Sequence, residues 1–173
     1  KRSSGSFERQ KRDFYPTPFS AVEPLLSHLS EKTVFDEPCA GNGALVDHLE
    51  SSGHRCLRAT DIEPQRDDVG TFDAFDIESC YGDCFITNPP WNRKFLHPLI
   101  LHLCDIAPTW LLFDADWMHT RQATEYLPYC KKIVSVGRVK WIPDSPHTGK
   151  DNAAWYLFYT RTENSPVDFW GRR

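Results

Sequence analysis

Residues 36–45 read DEPCAGNGAL, and what flanks them decides the fold. Before them runs TVF at 33–35; after them Leu45, Val46 and Leu49 share one face of an amphipathic stretch that Gly53 ends. Gly41 and Gly43 let the backbone turn tightly and approach a ligand closely. Strand, glycine loop and helix in that order open a βα unit. The third glycine of a dinucleotide fingerprint is missing, which argues against a nicotinamide enzyme. No lysine follows as a phosphate-binding P-loop requires.

Outward from this loop the pattern repeats. A helix is expected over 18–30, with Pro18 at its start and Val22, Leu25, Leu26 and Leu29 inward. Strands are expected at 33–38, 55–61, 83–88 and 109–116, with a loop or short strand at 71–76. Helices are expected at 43–52, at 93–106 with an interruption near Pro98, and at 118–128. KIVSVGRVKWI (132–142) and AAWYLFYT (153–160) read as two consecutive strands joined by a long loop at 143–152. This alternation predicts an α/β Rossmann-like fold: a mostly parallel central sheet with helices on both faces and a C-terminal antiparallel hairpin. Residues 1–14 read as a flexible basic arm and 15–173 as a single domain.

The totals bound the function. The chain has 173 residues, 40% of them hydrophobic, enough for one core. No apolar run approaches a membrane span, and the polar start lacks the apolar region of a signal peptide. Six scattered cysteines form no C-x-x-C pair, so no metal site is expected, and they read as reduced thiols of a cytosolic protein. Net charge is −4, unevenly spread: residues 1–15 hold five basic and two acidic groups, 131–173 eight and four, and 16–130 seven and eighteen. Basic ends can hold phosphates although the total is negative.

Three further features sit at strand ends. Asp61 closes the second strand, twenty residues beyond Gly41, where an acid can accept both hydroxyls of a ribose, and Ile62 beside it can pack on an adenine face. Asp76, in AFDI, either accepts from an adenine amino group or is a solvated loop acid. Asn88-Pro89-Pro90-Trp91 follows the fourth strand. An amino group on an aromatic ring is a poor nucleophile because its lone pair is delocalised. The Asn88 side-chain oxygen and the Pro89 carbonyl, held rigid by the two prolines, can grip its hydrogens and favour the pyramidal nitrogen that attacks. Trp91 offers a face on which a flat base can stack.

In order, DEPCAGNG, Asp61, Asp76 and NPPW resemble the motifs of S-adenosylmethionine-dependent amino-methyltransferases. DFYPTP (13–18) is similar to the additional N-terminal motif of DNA adenine-N6 methyltransferases, in the gamma-type order. GRVKWIP and NAAWYLF resemble the closing segments of small phage-type members, and the resemblance spans residues 13–160. It implies that Tyr15, Thr17 and Pro18 touch the methionine end of the cofactor. Glu37, Pro38, Ala40, Gly41 and Gly43 would form the cofactor's floor, with Glu37 on the amino-acid portion. Asp61 and Ile62 would meet the nucleoside, Asp76 and Ile77 would border the adenine, and Asn88, Pro89, Pro90 and Trp91 would grip the target. The partner implied is DNA, with the adenine flipped out of the stack to reach Trp91 and no metal or membrane involved. His147 and Lys150 in the 143–152 loop are candidates for backbone contacts.

The implied setting is cytoplasmic, the host cytoplasm near the nucleoid for a phage-encoded enzyme. There is no room for the separate recognition domain that many members carry, so low specificity or pairing into a homodimer is expected. RNA bases and protein glutamine amides share the acceptor geometry and stay open as targets. So does a domain that binds cofactor without catalysis.

Overall fold

The computed structural model describes residues 15–162 and 165–172, so the basic arm expected at 1–14 lies outside the described residues. Among the described residues eight strands form one sheet: β1 (Val34–Glu37), β2 (Arg55–Asp61), β3 (Gly70–Thr71), β4 (Cys84–Thr87), β5 (Thr109–Asp114), β6 (Cys130–Arg138), β7 (Asn152–Phe158) and β8 (Asp168–Trp170). Their order is β3-β2-β1-β4-β5-β7-β6-β8. From β3 to β5 all pairings are parallel; β7 runs antiparallel to both β5 and β6. The β6–β7 pair is the expected hairpin.

Among the described residues three α-helices flank the sheet: α1 (Phe19–Leu26), α2 (Ala44–Ser51) and α3 (Arg93–Ile106). Alternation along β5 shows why both faces are covered. Trp110 and Leu112 join the core built by Ala21, Val22 and Leu25 of α1 and Leu45, Val46 and Leu49 of α2. Leu111 and Phe113 point the other way, into a core shared with Leu96 and Ile100 of α3. A strand buried on both faces reads as a continuous apolar run, which TWLLF is.

Several elements differ from expectation. α1 stops at Leu26 because its continuation tightens into i→i−3 bonds, His28 to Leu25 and Leu29 to Leu26. α3 runs through Pro98 as one 14-residue helix, giving up only the bond that proline cannot donate. The helix expected at 118–128 is instead a chain of short 3₁₀ turns: Thr120 is extended and Pro128 sits inside the last turn. β8 was not expected at all; it adds parallel to β6 at the sheet edge. No helix among the described residues is long and apolar enough to cross a membrane.

β1 lies between β2 and β4, where the order of parallel strands reverses direction. Ligands of open α/β sheets bind at such a switch point, outside the carboxyl ends of the strands. That rim receives the glycine loop after β1 and the Asn88 loop after β4.

Candidate active site

A cavity of about 560 Å³ opens at this switch point. The loop that floors it is closed by its own backbone and by Asp61. The Ala40 amide donates to the Thr60 carbonyl at 2.8 Å and the Gly41 amide to the Asp61 carboxylate at 2.9 Å, while Gln65 donates back to the Gly41 carbonyl at 2.9 Å. The second Asp61 oxygen accepts from the Glu63 amide at 2.8 Å. Gly41 and Gly43 have φ of 54° and 75°, a left-handed backbone that favours glycine. At Gly43 there is a second reason. A Cβ there would meet the Arg66 guanidinium, which Asp47 holds at 2.6 Å and Asp68 also pairs. Gly43 therefore shapes the loop as the cap of α2 without lining the cavity.

Glu37 is the electrostatic centre. It is 1% exposed at the end of β1 and lines the cavity. The Thr87 hydroxyl approaches one carboxylate oxygen at 3.4 Å; the other, Oε2, is buried without a partner among the described residues. Burial pushes its pKa well above the usual carboxylate range. The Thr87 hydrogen bond opposes this, and the Asp61 charge adds to it. A buried oxygen without a donor, on a residue that lines a cavity, fits a ligand that brings an ammonium or N–H group. Glu37, Asp61, Glu63 and Asp73 all line the cavity, and no lysine or arginine does among the described residues. That set favours a cationic ligand and repels a pyrophosphate.

Asn88 lines the same cavity with Pro90. Its side-chain nitrogen donates to the Thr17 hydroxyl oxygen at 3.1 Å, and its side-chain oxygen accepts from the Trp91 indole N–H at 3.2 Å. The Trp91 ring is half-buried and packs against both large cores, edge-on to Trp141 at 5.6 Å and 87°. It does not line the cavity, in contrast to the stacking face expected of it. Pro89 is buried beside it and is likewise not a lining residue.

Of the residues singled out in the sequence, Tyr15, Thr17, Glu37, Pro38, Ala40, Gly41, Asp61, Ile62, Asn88 and Pro90 are brought to one cavity. Pro18 is not; it caps the start of α1. Asp76 and Ile77 are not either. Asp76 is exposed on a 3₁₀ turn, and Ile77 is buried in the core with Phe85 and Leu99. The same turn presents Asp73 and Phe75 to the cavity instead, with the Asp73 carboxylate capping the Phe75 amide at 2.9 Å. TFDAFD carries two aspartates, and nothing in the sequence ranks them. Asn92 and Phe95 were also missed; Phe95 packs edge-on to Phe75 at 5.3 Å. His147 and Lys150 are exposed on the loop between β6 and β7, away from the cavity wall. That loop rises from the same rim: Arg138 pairs with Asn152, and Ala153 with Asp114 at the end of β5. No cluster of metal-ligating side chains occurs among the described residues.

No family model and no curated protein matches the chain. Solved structures do. A candidate RNA methyltransferase of Pyrococcus horikoshii superposes with a TM-score of 0.59 at 18% identity, over 91% of this chain and 93% of that one. A dimethyladenosine transferase of Plasmodium falciparum gives 0.52 at 15%, over 84% and 62%. The M protein of the type I restriction enzyme EcoKI gives 0.56 at 12%, over 91% and 45%, so this chain spans under half of it. The fold is the class I, Rossmann-like fold of S-adenosylmethionine-dependent methyltransferases.

Proposed function

We propose that this protein transfers a methyl group from S-adenosylmethionine to the exocyclic N6 amino group of adenine in DNA. The observation that carries the reading is the pairing of an acidic cavity with the Asn88–Pro90 wall. Four carboxylates line the cavity, one of them buried with an unpartnered oxygen, and Asn88 faces the same space.

When bound, S-adenosylmethionine supplies an electrophilic methyl group on a sulfonium that leaves readily. Glu37, whose Oε2 has no partner among the described residues, would hold its ammonium. Asp61 takes the ribose hydroxyls while continuing to brace the glycine loop through the Gly41 amide. Asp73, Phe75 and Ile62, which line the cavity where Asp76 and Ile77 do not, would hold the cofactor's adenine. Tyr15 and Pro16 close the wall.

On the target side, the Asn88 carboxamide oxygen has two lone pairs, and Trp91 uses one. The second accepts a hydrogen of the target amine. This draws density toward the nitrogen and away from its ring. With the donor already activated, what remains for the protein is positioning. No basic side chain is required at the reacting nitrogen. In a duplex the adenine must leave the stack to reach this wall.

Exposed cations stand on the same rim: Arg93 and Lys94 open α3 one residue beyond Asn92, and Lys140 and Lys150 lie in the loop after β6. They suit a polyanion, which is why nucleic acid is preferred to a glutamine amide. The test incubates labelled cofactor with DNA, RNA and cell-extract protein, then digests each to single units. Label in N6-methyladenine from DNA supports the proposal. Label confined to RNA or to glutamine redirects it. No transfer to any of the three overturns it.

A further inference from the structure

The segment preceding α1 carries a side chain whose contact lies on the target side of the cavity. Thr17 is 6% exposed, and its hydroxyl oxygen accepts from the Asn88 side-chain nitrogen at 3.1 Å. A carboxamide is nearly symmetric in shape, so its neighbours decide which end is oxygen. Here the indole N–H of Trp91 is donor-only, so the end facing it at 3.2 Å is the oxygen. The nitrogen then faces Thr17, whose hydroxyl oxygen receives it. The two contacts fix both the identity of each end and the plane of the amide.

Thr17 is itself held stiffly. It stands between Pro16 and Pro18, and a residue before proline is confined to extended backbone. Immediately after Pro18, α1 is tied to the sheet where the Trp155 indole N–H donates to the Ala21 carbonyl at 2.8 Å. Ala21, Val22 and Leu25 are fully buried. The hydroxyl thus reaches Asn88 from a rigid base, across 71 residues of chain. Tyr15 and Pro16 of the same segment line the cavity.

We infer that Thr17 is a positioning residue: its hydroxyl pins the Asn88 carboxamide so that the remaining oxygen lone pair points at the target amine. This role takes the place of the contact with the methionine end of the cofactor expected from sequence, because the Thr17 hydroxyl is engaged by Asn88, and it rests on the reading of Asn88 as acceptor. A misdirected acceptor slows the chemical step on the order of 100-fold without altering how tightly the donor is held.

The experiment compares wild type with Thr17→Val, which keeps shape and removes the hydroxyl, and Thr17→Ser, which keeps the hydroxyl. Three quantities are read: kcat at saturating cofactor, cofactor Kd by calorimetry, and the NMR signals of the Asn88 side-chain amide protons. Thr17→Val should lower kcat about 100-fold with unchanged Kd, and its amide protons should shift and exchange faster. Thr17→Ser should restore both. Retained kcat with weakened cofactor binding, or unmoved amide signals, overturns the inference. Should Thr17→Val fail to fold, Thr17→Ser decides: wild-type-like amide signals and kcat support the assignment, and their loss refutes it. Should wild type methylate nothing, the proposed function fails, while the amide signals still decide whether Thr17 pins Asn88.

Discussion

Replacing Glu37 by glutamine should move protein stability and cofactor affinity in opposite directions. Glu37 is 1% exposed, with one oxygen given only a 3.4 Å contact from Thr87 and the other given none. Without ligand, its charged form is disfavoured by burial and by Asp61, so the folded state binds its proton more tightly than the unfolded chain does. An acid with a raised folded pKa makes stability fall as pH climbs from the ordinary carboxylate range through that raised value. Glu37→Gln keeps the shape, cannot ionise and escapes this loss. Its melting temperature should exceed wild type's by a margin that widens over that window.

Cofactor affinity should do the reverse. A ligand ammonium favours the ionised carboxylate, so binding must release the proton, and wild-type affinity should rise as pH rises through the same window. Glutamine offers the ammonium a neutral acceptor in place of a charged one. Hydrogen bonds to charged groups contribute about 1.5–3 kcal/mol, so the variant should bind roughly 10- to 100-fold more weakly above the window. Its affinity should lose the pH dependence. Calorimetry in buffers of different ionisation enthalpy reads both the affinity and the proton released. Equal affinities for the two proteins, or wild-type binding with no proton release, would refute the assignment of Glu37 to the ligand's ammonium.

Asn88→Ala should abolish turnover while sparing cofactor affinity; near-normal turnover in the labelled-cofactor assay would remove Asn88 from the chemistry. Asp61→Ala deletes the acceptor of two backbone amides and of the ribose hydroxyls. It should weaken cofactor binding roughly 10- to 100-fold on the scale of a charged hydrogen bond, and unchanged calorimetric affinity would sink the ribose assignment. Gly43→Ala forces a side chain into φ of 75° beneath Arg66. The strain costs about 1–2 kcal/mol, a fall of roughly 2–8 °C in Tm at this chain length, read by thermal denaturation.

Much of this was legible where local chemistry and tertiary need agree. RCLRATD is β2 residue for residue, and the glycine loop fell between β1 and α2 because only glycine tolerates its backbone there. What was not legible depends on distant partners. β8 is three residues after a polar stretch, and it exists because β6 offers it an open edge. The 118–128 segment has helix-like composition, yet Thr120 adopts extended backbone and breaks the run. Asp73 and Asp76 are both plausible acids until a 3₁₀ turn aims one of them at the cavity. The Trp91 ring packs against two hydrophobic cores assembled from distant elements, contacts that nothing within the NPPW stretch announces.

The inward turn of Trp91 changes what the asparagine loop needs. Stacking on that ring was one way to hold a flat target; in its place stands a polar chain, Trp91 to Asn88 to Thr17, running from core to cavity wall. A half-buried indole N–H would otherwise carry a desolvation penalty of roughly 1–3 kcal/mol. Its bond to Asn88 removes that cost and orients the carboxamide at the same time. Donor and acceptor sides of the proposed reaction are then separated by charge. The cavity beneath is lined by carboxylates suited to a cation, whereas Arg93, Lys94, Lys140 and Lys150 lie outside it on the rim. A polyanion drawn to those cations would be repelled by the carboxylates within, so its phosphates would stay outside while a neutral group such as a base could enter as far as Asn88. Under the proposed function, the sign of the field would thus help to admit the target base while keeping its phosphates outside.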